Sequence, residues 1–346
     1  MTDVELQSLE VVVANLHRRY SGVTATSRAV APFVARRVRA GWLGTDAPEG
    51  IARLNFRDLV ALWRRRRPLV WHARRNDEMI VGVLLKMLGW PFRLVFTSAA
   101  QRHHTWITRW LIGRMDAIIA TSEVSASYLT RSANVVHHGV DAARYAPPPD
   151  RAAAFAETGL PGSFAIGCFG RVRAQKGTDL FVEAMCALLP RYPDFTAVIV
   201  GAITPEQTPF AAGLKARIAA AGLASRIVIL GELPIDDVVR WFQRLTIYAF
   251  TSRNEGHGMT LIEAMSAGAA LVATRAGAAE LVVADGDSGV LVPTDDAAAL
   301  AAAIEPLMRD PAAAAAMGAR ARASVAARFS LDAEADGIVA VYRALL

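Results

Sequence analysis

Short apolar runs alternate along the whole chain with amphipathic stretches long enough to form helices, and this alternation restricts the fold more than any single motif does. A run that is apolar on both faces is a strand covered on both sides. A neighbouring segment with helical periodicity supplies the cover. Together they specify parallel sheets with helices on each face. In the front half, strands are expected at 10–15, 69–72, 93–97, 117–121 and 135–138. In the back half the scheme repeats at 164–169, 196–201, 226–230, 247–250, 270–274 and 289–292. Pro147-Pro148-Pro149, followed by a polar and Ala-rich stretch up to Pro161-Gly162, breaks the pattern as a linker would. The 346 residues therefore divide into domains at 1–150 and 151–346, each α/β and doubly wound. Ligands of such sheets collect at the carboxyl ends of the strands.

Composition removes other classes. A hydrophobic content of 53% excludes disorder and small disulfide scaffolds. The net charge of +6 is uneven, with 21 basic and 11 acidic residues up to position 149 and 17 against 21 beyond it. The densest basic run, Arg64-Arg65-Arg66-Arg67, closes a predicted helix, where positive charge complements the helix dipole, so no nucleic-acid partner is expected. The start, MTDVELQSLE, has neither the basic residues nor the apolar stretch of a secretory signal, which points to the cytoplasm. Residues 80–96 are interrupted by Lys86, Pro91 and Arg93 and fall short of the ~20 apolar residues of a spanning helix. They read as helix, turn and strand. Cys168 and Cys186 lie outside C-x-x-C spacing and read as buried reduced thiols. Asp285-Gly286-Asp287 has the look of a D-x-D metal motif but lies in a turn far from any phosphate loop. His137, His138 and His257 lack zinc-ligand spacing, so neither metal nor cofactor is expected.

Two segments carry the chemistry. In Phe169-Gly170-Arg171-Val172-Arg173-Ala174-Gln175-Lys176-Gly177 a strand ends, turns on glycine and enters a helix. Arg171 and Lys176 together with helix N–H groups would neutralise a diphosphate. The loop is neither G-x-G-x-x-G nor a Walker A sequence. In the second segment, from Glu255 through Gly256, His257, Gly258, Met259, Thr260 and on to Glu263, glycines permit close backbone approach and the helix starting near Met259 offers further N–H groups. Glu255 and Glu263 stand at different depths, suited to two sets of sugar hydroxyls. In the front half, Gly22 marks a turn before a helix. His72, Arg74 and Arg75 close one strand, and His103 and His104 follow another. A lone strand-end histidine is more often structural, and Arg74 and Arg75 fit either an anionic acceptor or a pairing with Asp77 and Glu78.

Taken together, the GRVRAQKG loop, EGHGMTLIEAMSAG, HHGVDAARY and GDSGVLVP resemble the retaining glycosyltransferases of family 4, with the GT-B fold of two facing Rossmann-like domains. NLHRRYSGVTATS, WHARRNDEM and FTSAAQRHH are most similar to the lipopolysaccharide core mannosyltransferases of that family. The resemblance implies transfer of a hexose from a nucleotide diphosphate sugar, GDP-mannose, to a lipopolysaccharide core or other lipid-linked glycan, without metal. On that basis Arg171, Lys176 and Glu255 are expected to be catalytic, and the strand-end His72 is taken with them as a catalytic candidate. Gly22, Gly170, Gly258, Met259, Thr260 and Glu263 complete the donor site, and Arg74, Arg75 and His103 meet the acceptor. The chain departs from the family at Arg74, where a second histidine is usual, at His138, where asparagine is usual, and at His257, where an aromatic is usual. The +10 front half implies an anionic membrane surface as a partner, with the protein peripheral on the inner face of the cytoplasmic membrane. The competing readings are a GT-B protein that binds sugar nucleotide or lipid without turnover, a transferase using a UDP-hexose, and another GT-B enzyme such as a phosphorylase or epimerase.

Overall fold

The computed structural model describes residues 3–17, 22–63 and 67–346. Arg64, Arg65 and Arg66 of the basic run lie outside the described residues. The chain forms two compact units, residues 1–139 with 329–346, and residues 140–328. This amends the division at 150, because the last helix, Leu331–Arg343, returns to the first unit.

The first unit is built on β1 (Val11–Asn15), β2 (Ala40–Gly44), β3 (Ala52–Leu54), β4 (Leu69–Ala73), β5 (Phe92–Ser98), β6 (Ala117–Ala120) and β7 (Asn134–Val135). They form one parallel sheet in the order β3-β2-β1-β4-β5-β6-β7. Strands β2 and β3 carry no clear strand signal in the sequence. The first is bracketed by glycines and reads locally as a turn, and the second is three residues with an exposed start. The strand expected at 135–138 stops at Val135, because the chain beyond it bends so that His138 Nδ1 and the Gly139 N–H reach the Glu334 carboxylate, each at 2.9 Å.

Strand residues alternate between the two faces. Val12, Trp71, Leu94 and Ile118 join Leu59, Leu62, Met79, Val83, Leu111 and Ile112 from the helices Phe56–Trp63, Asn76–Met87 and Trp106–Gly113. On the opposite face Val11, Val13, Val70 and Val95 pack with Val30 and Val34 of the helix Gly22–Ala35, and with Leu331, Ile338 and Tyr342 of the last helix. Residues 80–96 form the expected helix end, turn and strand. No helix among the described residues is long and apolar enough to cross a membrane.

The second unit carries β8 (Phe164–Phe169), β9 (Phe195–Val200), β10 (Ile227–Gly231), β11 (Leu245–Phe250), β12 (Ala270–Thr274) and β13 (Val290–Val292). They lie parallel in the order β10-β9-β8-β11-β12-β13. In both units the order reverses beside the first strand, and such a reversal opens a crevice at the carboxyl ends of the two strands flanking it.

Candidate active site

The two segments singled out in the sequence leave the two strands that flank the reversal in the second unit. β8 runs into Gly170 and the loop that follows, and β11 runs into residues 251–258. After a single 3-10 turn, Ala174–Lys176, the first loop enters the helix Thr178–Leu188 through Gly177. Gly177 has φ +63°, and a Cβ there would lie 1.9 Å from the Thr251 carbonyl oxygen. Only glycine satisfies both the backbone conformation and the approach of the second loop.

The loops are bonded to one another along their length. The Arg253 N–H donates to the Gln175 carbonyl at 2.9 Å, Gln175 Nε2 to the Asn254 carbonyl at 3.1 Å, and Thr251 Oγ1 to the Lys176 carbonyl at 2.8 Å. The Arg253 guanidinium reaches the Ala174 carbonyl, grips Asp179 through two bonds of 2.8 Å and also contacts Asp295. Lys176 Nζ forms an ion pair with Glu255 Oε2. Arg171 is exposed on the same loop and makes no ion pair among the described residues.

Gly258, at φ +90°, turns the second loop into the helix Met259–Ser266. The first-turn N–H groups of that helix, from Met259 and Thr260 onward, are those a helix leaves without intrahelical partners. The buried Tyr248 hydroxyl, on the strand before this loop, donates to the Phe169 carbonyl at 3.3 Å. One turn in, Glu263 is partly buried, and its Oε1 accepts from the Tyr145 hydroxyl at 3.0 Å. Burial pushes this carboxyl up to about 7, against the opposing pull of Tyr145 and Arg144. The second unit thus assembles two cationic side chains, a helix N-terminus and two carboxylates at one sheet edge. Arg253, Gln175, Thr251 and Asp179, which hold the loops in place, were not singled out from sequence. No pattern within a few residues of either Arg253 or Asp179 records their pairing.

The front-unit candidates are placed differently. His72, at the end of β4, is buried with both ring nitrogens engaged, Nδ1 with the Tyr342 hydroxyl at 2.5 Å and Nε2 with Thr97 Oγ1 at 2.7 Å. Burial first, and Arg74 second, hold its imidazole well below the usual range, so it is neutral. As placed, it is a fold-bearing histidine. Arg74 is half-buried and lines a small cavity with Ser27, His72 and Tyr342. Arg75 is tied to Asn15 Oδ1 and Glu78 Oε1, each at 3.0 Å, and to Thr24 Oγ1 at 2.6 Å. It bridges the carboxyl ends of β1 and β4, and its partner Glu78 is buried rather than on the surface. His103 is exposed against the Tyr128 ring, and His104 lies 3.3 Å from Ser98 Oγ. Gly22 opens its helix with no atom of the described residues within 4 Å of a Cβ placed there, and the residues just before it lie outside the described ones.

The Asp285 carboxylate is taken by Arg275 and the Leu291 N–H, and Asp287 pairs with Arg320. Among the described residues no group of three or more His, Cys, Asp or Glu side chains converges as a metal site would. Cys168 is buried, and that burial raises its thiol to about 11.

Residues 150–324, which contain both loops, match the family model described as glycosyl transferases group 1. The chain belongs to the group 1 glycosyltransferases. This glycosyltransferase is 50% identical over 348 residues to the lipopolysaccharide core biosynthesis mannosyltransferase LpcC of Rhizobium leguminosarum bv. viciae, covering 99% of this chain and 98% of that protein. It is 42% identical over 351 residues to the lipopolysaccharide core biosynthesis mannosyltransferase LpsB of Rhizobium meliloti (strain 1021), covering 99% of each. Among solved structures, Anabaena HepE in complex with UDP and glucose superposes with a TM-score of 0.81 at 19% identity, over 97% of this chain and 100% of that one. At that identity the likeness concerns the fold, and the glycosyltransferase has the two Rossmann-like domains of the GT-B type.

Proposed function

We propose that the glycosyltransferase moves mannose from GDP-mannose, with retention at the anomeric carbon and without a metal ion, onto a lipopolysaccharide core or other lipid-linked glycan at the inner face of the cytoplasmic membrane. The observation that carries this reading is the bonded pair of loops at the strand-order reversal, which gathers Lys176, Arg171 and a helix N-terminus at one edge. The names of the two full-length relatives support the choice of sugar and acceptor.

When the glycosidic bond breaks, negative charge grows on the departing diphosphate. Cations and N–H groups already aimed at that position stabilise the transition state more than the bound donor. Lys176 shifts from Glu255 to the diphosphate, which frees Glu255 to accept from hydroxyls of the transferred hexose. Glu263 accepts from the ribose diol, contacts made equally in ground and transition states. The positive charge comes from protein, so activity is expected to persist in EDTA. The retaining step in this reading is attack from the leaving-group face.

Purified enzyme is to be assayed with GDP-mannose and with UDP-hexoses, on a lipid-linked core acceptor and in EDTA, with the anomeric configuration of the product read by NMR. Acceptor-dependent release of GDP and an α-linked product are expected. Release of UDP instead would replace the donor, loss of activity in EDTA would overturn the role given to Lys176 and Arg171, and an inverted product would remove the retaining mechanism. Donor bound but never turned over would leave a binding protein.

A further inference from the structure

We propose that the outer faces of three helices in the first unit, Phe56–Trp63, Asn76–Met87 and Trp106–Gly113, form an apolar face that inserts into an anionic lipid bilayer. All three helices cover the same side of the sheet, since Leu59 and Leu62, Met79 and Val83, and Leu111 and Ile112 share one buried cluster. A helix that covers a sheet needs only that inner stripe, and its outer face is ordinarily polar. Here each helix carries a second apolar stripe on the outside. Phe56, Val60 and Trp63 recur at i, i+4 and i+7, Ile80, Leu84 and Met87 repeat the spacing, and Trp106, Ile107 and Trp110 follow on the third helix. Met87 is 73% exposed, Trp106 72%, Leu88 65% and Phe56 64%, values that leave most of each side chain in water.

The stripes are joined. Trp63 stacks on Trp90 with centroids 5.4 Å apart and donates to the Leu88 carbonyl at 3.2 Å. Asn76 Nδ2 donates to Thr108 Oγ1 at 2.8 Å, and Lys86 pairs with Asp116 at 2.7 Å, so the second and third helices are held side by side. Exposed apolar area of this extent marks a surface that meets another phase or partner.

Charge decides which. Exposed Arg57, Arg67, Arg109 and Arg114 lie among and beside the apolar residues, with the Arg114 guanidinium 4.8 Å from the Trp110 ring centroid. From Gln101 to Met115 there is no acidic residue. Tryptophans with arginines around an apolar face are the composition of an interfacial membrane segment, where rings sit at headgroup depth and guanidinium groups meet phosphates. A second copy of the chain suits the face poorly, because a symmetric contact would set arginine against arginine.

This deepens the proposed function, on which it rests for a lipid-borne acceptor, by naming how the enzyme reaches the lipid surface. It also changes the salt dependence expected from charge alone. Salt screens the arginine contribution but leaves apolar insertion in place.

The test is co-sedimentation of the full chain with vesicles of phosphatidylethanolamine containing a quarter phosphatidylglycerol, at low salt and at about 0.5 M NaCl, with tryptophan emission and mass recorded in parallel. Binding should weaken with salt yet persist, with emission shifted to the blue. A variant carrying Met87→Ser, Leu88→Ser, Trp106→Ser and Trp110→Ser should bind at least ~10-fold less well while melting normally and releasing nucleotide from donor as the wild type does. Unchanged vesicle binding by the variant, complete loss of wild-type binding in high salt, or a wild-type dimer that the substitutions dissociate would each overturn the proposal. Failure of the transferase reading shows separately, as absence of nucleotide release with vesicle binding intact.

Discussion

Lys176 and Glu255 are paired with one another, so a change at either is felt by both. Replacing Lys176 or Arg171 with Ala is expected to cut turnover at least ~10²-fold, the scale for losing one prepositioned charge-stabilising donor, with the circular dichroism spectrum unchanged. Near-normal turnover would reduce the loop to a surface turn. Because Glu255 loses its counter-ion in the Lys176 variant, the double variant with Glu255→Gln should fall short of the summed single effects. Glu263 makes a prediction of opposite sign for stability and for binding. Its carboxyl titrates near 4.5 when solvated and at about 7 in the fold, so the folded chain keeps a proton that the unfolded chain gives up. Its contribution to stability is present below about 4.5 and is lost as the pH rises through about 7. Glu263→Gln should therefore raise the melting temperature at about pH 8 and leave it unchanged at about pH 4. Accepting hydroxyls from ribose needs the ionised carboxylate, so nucleotide affinity should rise between about pH 6 and 8 and be flat in the Gln variant. Calorimetric binding that is flat in the wild type would remove Glu263 from the ribose contact.

At the scale of elements, the loop after β8 and the loop after β11 behave as one piece held by Arg253. That guanidinium reaches Ala174, Asp179 and Asp295 without being placed against the donor, so Arg253→Ala is a positioning lesion. Donor KM should rise about tenfold with a smaller change in kcat, and Arg253→Lys, which cannot make the two-pronged grip on Asp179, should recover little. A fall in kcat at unchanged KM would count against this role. The strands and glycine turns of both loops were legible in the sequence because their causes are local: an apolar run, a residue that tolerates positive φ, a helix start. Arg253 was not, because its partner Asp179 lies 74 residues away and no local pattern records such a bond. His72 shows the converse. Its place at a strand end was readable, but Tyr342 arrives from 270 residues further on and occupies the nitrogen that a catalytic reading left open.

For the whole molecule, the return of the last helix is the feature to test. A chain ending at residue 328 uncovers Val30, Val34 and Trp42 and removes Glu334 from His138 and Gly139. The first unit should then melt at least ~10 °C lower or fail to fold, while residues 140–328 still bind donor nucleotide. Scanning calorimetry with and without nucleotide distinguishes the two transitions, and an unshifted first unit would show the helix to be dispensable. The sequence by itself determined the class of fold, two parallel sheets with helical cover, the number of domains and the glycine turns that end β8 and β11, since periodicity and backbone preference act over a few residues. Only the tertiary structure decided which sheet receives the last helix. The stripe of Leu331, Ala335, Ile338 and Tyr342 announces that a face must be buried but is equally apolar toward either sheet. It alone also decided that the outer stripes of three front-unit helices stay uncovered, because an apolar residue in a sequence looks the same whether its neighbour is protein or solvent.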